Sequence, residues 1–135
     1  MIKKFILFII FFLSLSYIFY SQFYITGKFN DYLKQHSESK YAQLVEFVLG
    51  KICFLLRKHN SAIFRFSRVV EIYTPTHLKP ESLYNIAECY EEKKQVKLAL
   101  RFYKKTFELY PETYYGELAR KRFEYLLLIG YKYEE

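Results

Sequence analysis

The chain has 135 residues, among them 15 Tyr, 14 Phe, four Gly, three Pro and no Trp, a composition that suits helices packed through aromatic rings better than a loop-rich enzyme. Its formal net charge is +7, but the basic clusters Lys104-Lys105 and Arg120-Lys121-Arg122 are interrupted by Glu108, Glu112, Glu117 and Glu124. Such mixtures form solvated i, i+4 pairs rather than the sustained basic face of a nucleic-acid binder, so nucleic acid is not an expected partner.

At the amino terminus Lys3 and Lys4 precede an apolar run from Phe5 to Tyr20, broken by Ser14 and Ser16 and extended through Phe23, Tyr24 and Ile25. Two readings fit. As an anchor, residues 5–25 would make about 31 Å of helix at about 1.5 Å per residue, close to the roughly 30 Å of bilayer hydrocarbon. As a signal peptide, Phe5 to Leu13 is the apolar core and Ser14-Leu15-Ser16 a cleavage site. The apolar run continuing past Ser16 favours retention. Lys3 and Lys4 on a short leading tail predict a cytoplasmic N-terminus, with the rest of the chain extracytoplasmic and, in a bacterium, periplasmic. Residues 26–40 read as a juxtamembrane linker. The excess of basic residues between Lys28 and Thr76 suits either anionic headgroups or an ordinary solvated surface.

From residue 41 onward the sequence repeats itself 37 residues later. Phe66 falls on Tyr103, Glu71 on Glu108, Ile72 on Leu109 and Tyr73 on Tyr110, while upstream Leu49-Gly50 falls on Ile86-Ala87, Cys53 on Tyr90 and Ala62 on Ala99. A fixed period of this length predicts stacked supersecondary units. In the second copy, counted from Pro80, Leu83, Ile86 and Tyr90 line one face of a first helix. Ala87 and Ala99 let two helices approach, Tyr103 fills the space between them, and Pro111 stops the second helix. These residues occupy signature positions of the tetratricopeptide repeat, which the chain resembles from residue 43 to about 129. The first copy, counted from Gln43, matches at Leu49, Gly50, Cys53, Ala62 and Phe66 and departs at Glu46 and Thr74. The repeats span about 43–76 and 80–113, and the lengthened junction Tyr110-Pro111-Glu112-Thr113-Tyr114-Tyr115-Gly116 is similar to a subtype found in bacterial periplasmic proteins of outer-membrane assembly and division coordination. Residues 113–129 read as a lone closing helix with Gly130 as its stop signal. The expected architecture is all-α: a helical anchor and a domain over 41–133 built as a short α-α solenoid.

The resemblance implies a groove lined by the first helices of each repeat. In the second repeat its positions are Glu81, Tyr84, Asn85, Glu88 and Glu91, an acidic surface with one aromatic; in the first they are Leu44, Phe47, Val48, Lys51 and Phe54. The helix from Tyr41 to Leu56 is apolar almost all round, so it is either packed under residues 28–40 or along the membrane, or it is a partner interface. A second candidate interface is the open end of the array at Tyr125, Leu128 and Tyr131. Of the family's carboxylate clamp only Asn85 is present, so recruitment of chaperone tails is not implied.

Catalytic chemistry has little to stand on. His36, His59 and His77 lack the close spacing of a metal site and read as surface residues in a linker and two turns. Cys53 reads as core filler and Cys89 as a neighbouring packing or partly exposed residue, with nothing to place them at bonding distance. No phosphate-binding loop or nucleophile-base arrangement is present, and no cofactor is expected. The reading is a non-enzymatic scaffold or adaptor that binds protein partners in an envelope complex, anchored by residues 5–25. The alternatives are a cleaved, secreted adaptor that self-associates and an accessory subunit of an envelope enzyme.

Overall fold

A computed structural model describes residues 2–21, 27–73 and 77–133 and is all-helical over them. The chain divides into two units, Met1–Ser37 and Glu38–Glu135. The boundary falls just before the expected start of the repeat domain.

The first unit holds α1 (Ile2–Phe19) and α2 (Lys28–Gln35). The apolar side chains of α1 from Phe5 to Ile18 are exposed. Ser14 Oγ donates to the carbonyl of Phe11 at 2.8 Å and, just beyond the helix, Ser21 Oγ donates to that of Ile18 at 2.9 Å. At 18 residues α1 is about 27 Å long, and among the described residues no helix is long and apolar enough to cross a membrane. Residues 22–25 of the expected 5–25 span lie outside the described residues. In α2, which starts beyond Gly27 at a positive φ of 78°, Leu33 is the buried residue.

The second unit contains α3 (Lys40–Leu55), α4 (His59–Glu71), α5 (Lys79–Glu92), α6 (Val96–Leu109) and α7 (Tyr114–Leu128). Each helix packs on the next in the chain, and α5 also meets α7. This gives two hairpins and a closing helix, a helical repeat in which α3, α5 and α7 are equivalent first helices. The turns inside the hairpins repeat as faithfully as the helices do. Arg57 and Lys94, one period apart, both adopt the left-handed conformation, with φ of 55° and 62°. Around each, two successive amides turn back: Arg57 and Lys58 donate to the carbonyls of Phe54 and Cys53, and Lys94 and Gln95 to those of Glu91 and Tyr90. These are Schellman caps, and Gly130 closes α7 in the same way through the carbonyls of Leu127 and Leu126. At its other end α7 is capped by Thr113, whose hydroxyl accepts from the amide of Gly116 at 3.1 Å.

Close approach within the hairpins depends on small residues. A Cβ on Gly50 would stand 2.7 Å from the Phe66 ring, and Ala62, Ala87 and Ala99 are fully buried. One cluster, between the hairpins, gathers Ala62, Phe66, Ile86 and Cys89. The other joins α5, α6 and α7 through Tyr84, Ala87, Leu100, Tyr103, Ala119 and Leu126. Burying a side chain the size of Phe66 or Leu100 contributes about 1.5–3 kcal/mol each. Glu46, the departure in the first copy, is also wholly buried: Arg65 donates to it at 2.9 Å and Arg68 at 2.5 Å. Where the second hairpin packs Leu83, the first packs an ion network.

Candidate functional site

The two sets of expected groove residues part company in the structure. In the first repeat only Leu44 and Val48 are open to solvent. Phe47 meets the edge of Phe66 at 5.8 Å between ring centroids, Phe54 meets His59 at 5.9 Å, and both pack into the cluster between the hairpins. They are packing residues rather than groove lining, since each ring meets a ring of α4 in its own hairpin and both border the cluster between the hairpins. Lys51 reaches across to α5, where its ammonium lies 2.9 Å from Glu81 and 3.3 Å from the Asn85 carbonyl oxygen. Asn85 itself is buried, and its amide nitrogen has no protein partner.

Of the second set, Tyr84, Glu88 and Glu91 line a concavity, whereas Glu81, paired with Lys51, and the buried Asn85 do not. Tyr84, Glu88 and Glu91 from α5, Tyr103 from α6, and Leu118, Lys121, Arg122 and Tyr125 from α7 line a groove of about 650 Å³, with Tyr131 at its end. Tyr125 and Tyr131, expected at a separate end surface, therefore belong to this groove; Leu128 stands outside it, almost fully exposed. Leu118, Lys121, Arg122 and Tyr125 were legible as groove residues, since each lies 37 residues beyond Glu81, Tyr84, Asn85 and Glu88 in turn. The signal was the repeat carried one helix further.

Charges inside the groove are paired by specific contacts. Arg122 grips Glu91 with two donors, Nε at 3.0 Å and an Nη2 contact, and the Tyr103 hydroxyl adds a third hydrogen bond at 2.9 Å. Burial alone would raise the Glu91 carboxyl, but the bonds from Arg122 and Tyr103 outweigh it and hold its pKa below the ordinary value. Glu88 goes the other way. Burial pushes its carboxyl up, with Glu91 and Glu92 adding to the effect and Lys51 and the Tyr84 hydroxyl opposing it. Tyr84 and Tyr103 are both raised by burial beside these carboxylates. Burial and a hydrogen bond to Glu81 push Tyr115, at the side of the groove, up to about 12. At neutral pH the tyrosines are hydroxyl donors and the groove is a set of fixed polar contacts among rings.

The remaining reactive side chains sit elsewhere. Of the two readings of Cys89 the packing one holds, since it is fully buried; Cys53 is partly buried, and both are free thiols in the cluster between the hairpins. Burial first, then Glu88, pushes the Cys89 thiol up to about 12, which makes it inert as a nucleophile. His59 is the first residue of α4 rather than a surface turn residue, with Nε2 3.3 Å from Glu92. Among the described residues no group of His, Cys, Asp and Glu could hold a metal ion. Comparison with family models, with curated proteins and with solved structures finds no match.

Proposed function

We propose that the protein is a membrane-attached, non-enzymatic adaptor of the tetratricopeptide-like kind, and that the groove between α5, α6 and α7 receives a segment of a protein partner. One observation carries the reading: the groove is built from the same register positions of two successive first helices, Tyr84 and Glu88 on α5 and Lys121 and Tyr125 on α7. Large rings with hydroxyl tips, set among charges already fixed by their neighbours, bind a polypeptide through stacking and hydrogen bonds at little ordering cost. A basic side chain of the partner is the natural complement to Glu88, whose buried carboxyl gains most from a cation. The groove lacks a paired nucleophile and base, so the reading is binding rather than turnover.

Attachment through residues 5–25 is part of the same proposal. It is supported by the exposed apolar side chains of α1 between Phe5 and Ile18 and by Ser14 and Ser21, whose hydroxyls bond to backbone carbonyls three residues before them and so need no water in an apolar medium. The orientation follows from Lys3 and Lys4 and puts the repeats on the extracytoplasmic side.

The test is photo-crosslinking in intact membranes from p-benzoylphenylalanine at Tyr125, with exposed Leu109 on α6 as the comparison position. A partner captured from Tyr125, and lost when Glu88→Lys is added without change in melting temperature, supports the groove. Equal capture from both positions, or capture indifferent to Glu88→Lys, overturns it. Recovery of a soluble chain beginning near Tyr17 replaces the anchored adaptor by a secreted one.

A further inference from the structure

Of the charged side chains that line the groove, most meet an opposite charge within the chain. Glu91 is paired with Arg122, Glu92 with Arg57 and His59 of the first hairpin, and Lys121 with Glu117 at 2.6 Å. Glu88 and Lys94 have no ion partner among the described residues. The Glu88 carboxylate accepts from the Tyr84 hydroxyl, and the charge of Lys51 reaches it, but the Lys51 ammonium is held by Glu81 and by the Asn85 carbonyl oxygen. One anion on α5 and one cation just past its end are what the groove leaves unpaired.

Lys94 carries its ammonium at an unfavourable backbone position. Its φ is 62°, in the left-handed region that a residue with a Cβ enters at a loss. One period later the same turn position is Gly130, and one period earlier it is Arg57, which reaches Glu92. A strained position whose charge meets nothing in its own chain points to a contact made with something else. Glu88 and Lys94 are six residues apart, about 9 Å along a helix at about 1.5 Å per residue. A free amino acid carries both its charges on one α-carbon and does not span that distance. In an extended polypeptide, side chains two residues apart share a face and stand about 6.7 Å apart, and a flexible lysine stem covers the remainder. The rings of Tyr84, Tyr103, Tyr125 and Tyr131 line the same groove and give such a stem an apolar bed.

We propose that the groove recognises an extended internal segment of a protein partner in which a basic and an acidic side chain stand two residues apart, the basic one on Glu88 and the acidic one on Lys94. The proposal rests on the groove being the partner site and adds the charge pattern of its occupant. Selectivity comes from both ends together, because a segment with two like charges at this spacing sets one of them against its own sign. Arg122, closed on Glu91 and lying over the Tyr125 ring at 5.1 Å, is a wall of the groove and takes no part in the pattern.

The experiment titrates peptides, blocked at both ends and labelled with an uncharged fluorophore, onto the full chain in nanodiscs of zwitterionic lipid and reads anisotropy. In a glycine and serine background, a mixed peptide with lysine and aspartate two residues apart should bind saturably. It should bind roughly tenfold more tightly than a peptide with two lysines or two aspartates at that spacing, as a close charge pair across an interface contributes. Lysine and aspartate side by side, which an extended chain sends to opposite faces, should bind as weakly as these. Glu88→Gln should weaken the mixed peptide, and Lys94→Glu, at an exposed turn position, should shift the preference to the two-lysine peptide. Lys105→Glu, exposed and outside the groove, should change neither. A folded Lys94→Glu chain with unchanged preference, equal binding of all the peptides, or no saturable binding of the mixed peptide overturns the proposal. So does tighter binding when the aspartate is replaced by a free chain end, which would put a terminal carboxylate on Lys94. If p-benzoylphenylalanine at Tyr125 still captures a partner in membranes, the groove stands and only its charge pattern falls; if capture fails as well, the groove reading falls with it.

Discussion

Arg65 donates a 2.9 Å hydrogen bond to Glu46 across the inside of the first hairpin, where the two side chains are 5% and 0% exposed. Arg68 holds the other carboxylate oxygen at 2.5 Å, and burial beside Glu46 raises the pKa of Tyr73. Buried carboxylates are tolerated only with such a full set of donors. One period later Glu46 becomes Leu83 and Arg65 becomes Phe102, so the chain itself contains an apolar solution to the same site.

The pair can therefore be tested by transplantation. Glu46→Leu alone leaves two guanidinium groups facing hydrocarbon and should destabilise the protein by about 3–5 kcal/mol. Glu46→Leu combined with Arg65→Phe should recover part of that loss, because apolar replacement of a buried ion pair is often neutral while Arg68 still lacks its carboxylate. Chemical denaturation followed by circular dichroism measures both. A double variant no more stable than the single one would mean that the ion network is required by the shape of this hairpin.

The turn residues give a prediction of opposite sign. Lys94 sits at φ 62°, a conformation that glycine adopts freely and other residues do not. Lys94→Gly should stabilise the protein by about 0.5–1 kcal/mol, and Lys94→Ala, which keeps a Cβ in the same conformation, should not. A lower melting temperature for Lys94→Gly would show that the lysine side chain contributes more than its backbone strain costs.

At Gly50 two effects compete, and magnitude decides. Alanine in a helix interior gains about 1 kcal/mol over glycine, but its Cβ would lie 2.7 Å from Phe66. That ring is fully buried and met at its edge by Phe47, so it has nowhere to move. Overpacking of this kind costs about 1–3 kcal/mol. Gly50→Ala should therefore be destabilising, as should Ala99→Leu at the close crossing in the second hairpin. Stabilisation by Gly50→Ala in a thermal melt would refute the close crossing of α3 and α4.

The features that recur every 37 residues were legible in the sequence, namely both hairpins and their small crossing residues, and the stop at Gly130 was legible from the glycine itself; the left-handed turns at Arg57 and Lys94 were not. What depends on a partner from another helix was not. Glu46 stood as a departure from the pattern because its partners, Arg65 and Arg68, lie on the next helix. Phe47 and Phe54 were assigned to a groove because register positions alone do not reveal how the rings of α4 draw them into the cluster between the hairpins. The burial order of Cys53 and Cys89 is set the same way, by packing between hairpins. The α7 side of the groove was missed because the repeat was taken to end at its second copy, although the first helix of a third continues in register. The register also runs backwards: Phe29 on α2 lies one period before Phe66 and two before Tyr103.

Neighbouring groove carboxylates should respond to pH with opposite signs. Burial raises the Glu88 pKa in the folded state, so the folded protein holds that proton more tightly than the unfolded chain. Stability from this group is greatest below the ordinary carboxyl pKa of about 4.3 and declines as pH rises toward the folded value. Glu88→Gln removes the charged form, so it should raise the melting temperature at pH 7, with the gain vanishing as pH falls through the ordinary range. Glu91, held low by Arg122 and Tyr103 against its own burial, contributes stability above the unfolded pKa and loses it as pH falls through the folded one. Glu91→Gln should lower the melting temperature at pH 7 and cost progressively less toward pH 3. Melting curves of the parent and both variants across that interval decide the matter. A destabilised Glu88→Gln at pH 7 would mean that the Tyr84 and Lys51 contacts outweigh burial, and that Glu88 is a structural ion pair rather than a carboxylate waiting for a partner's cation.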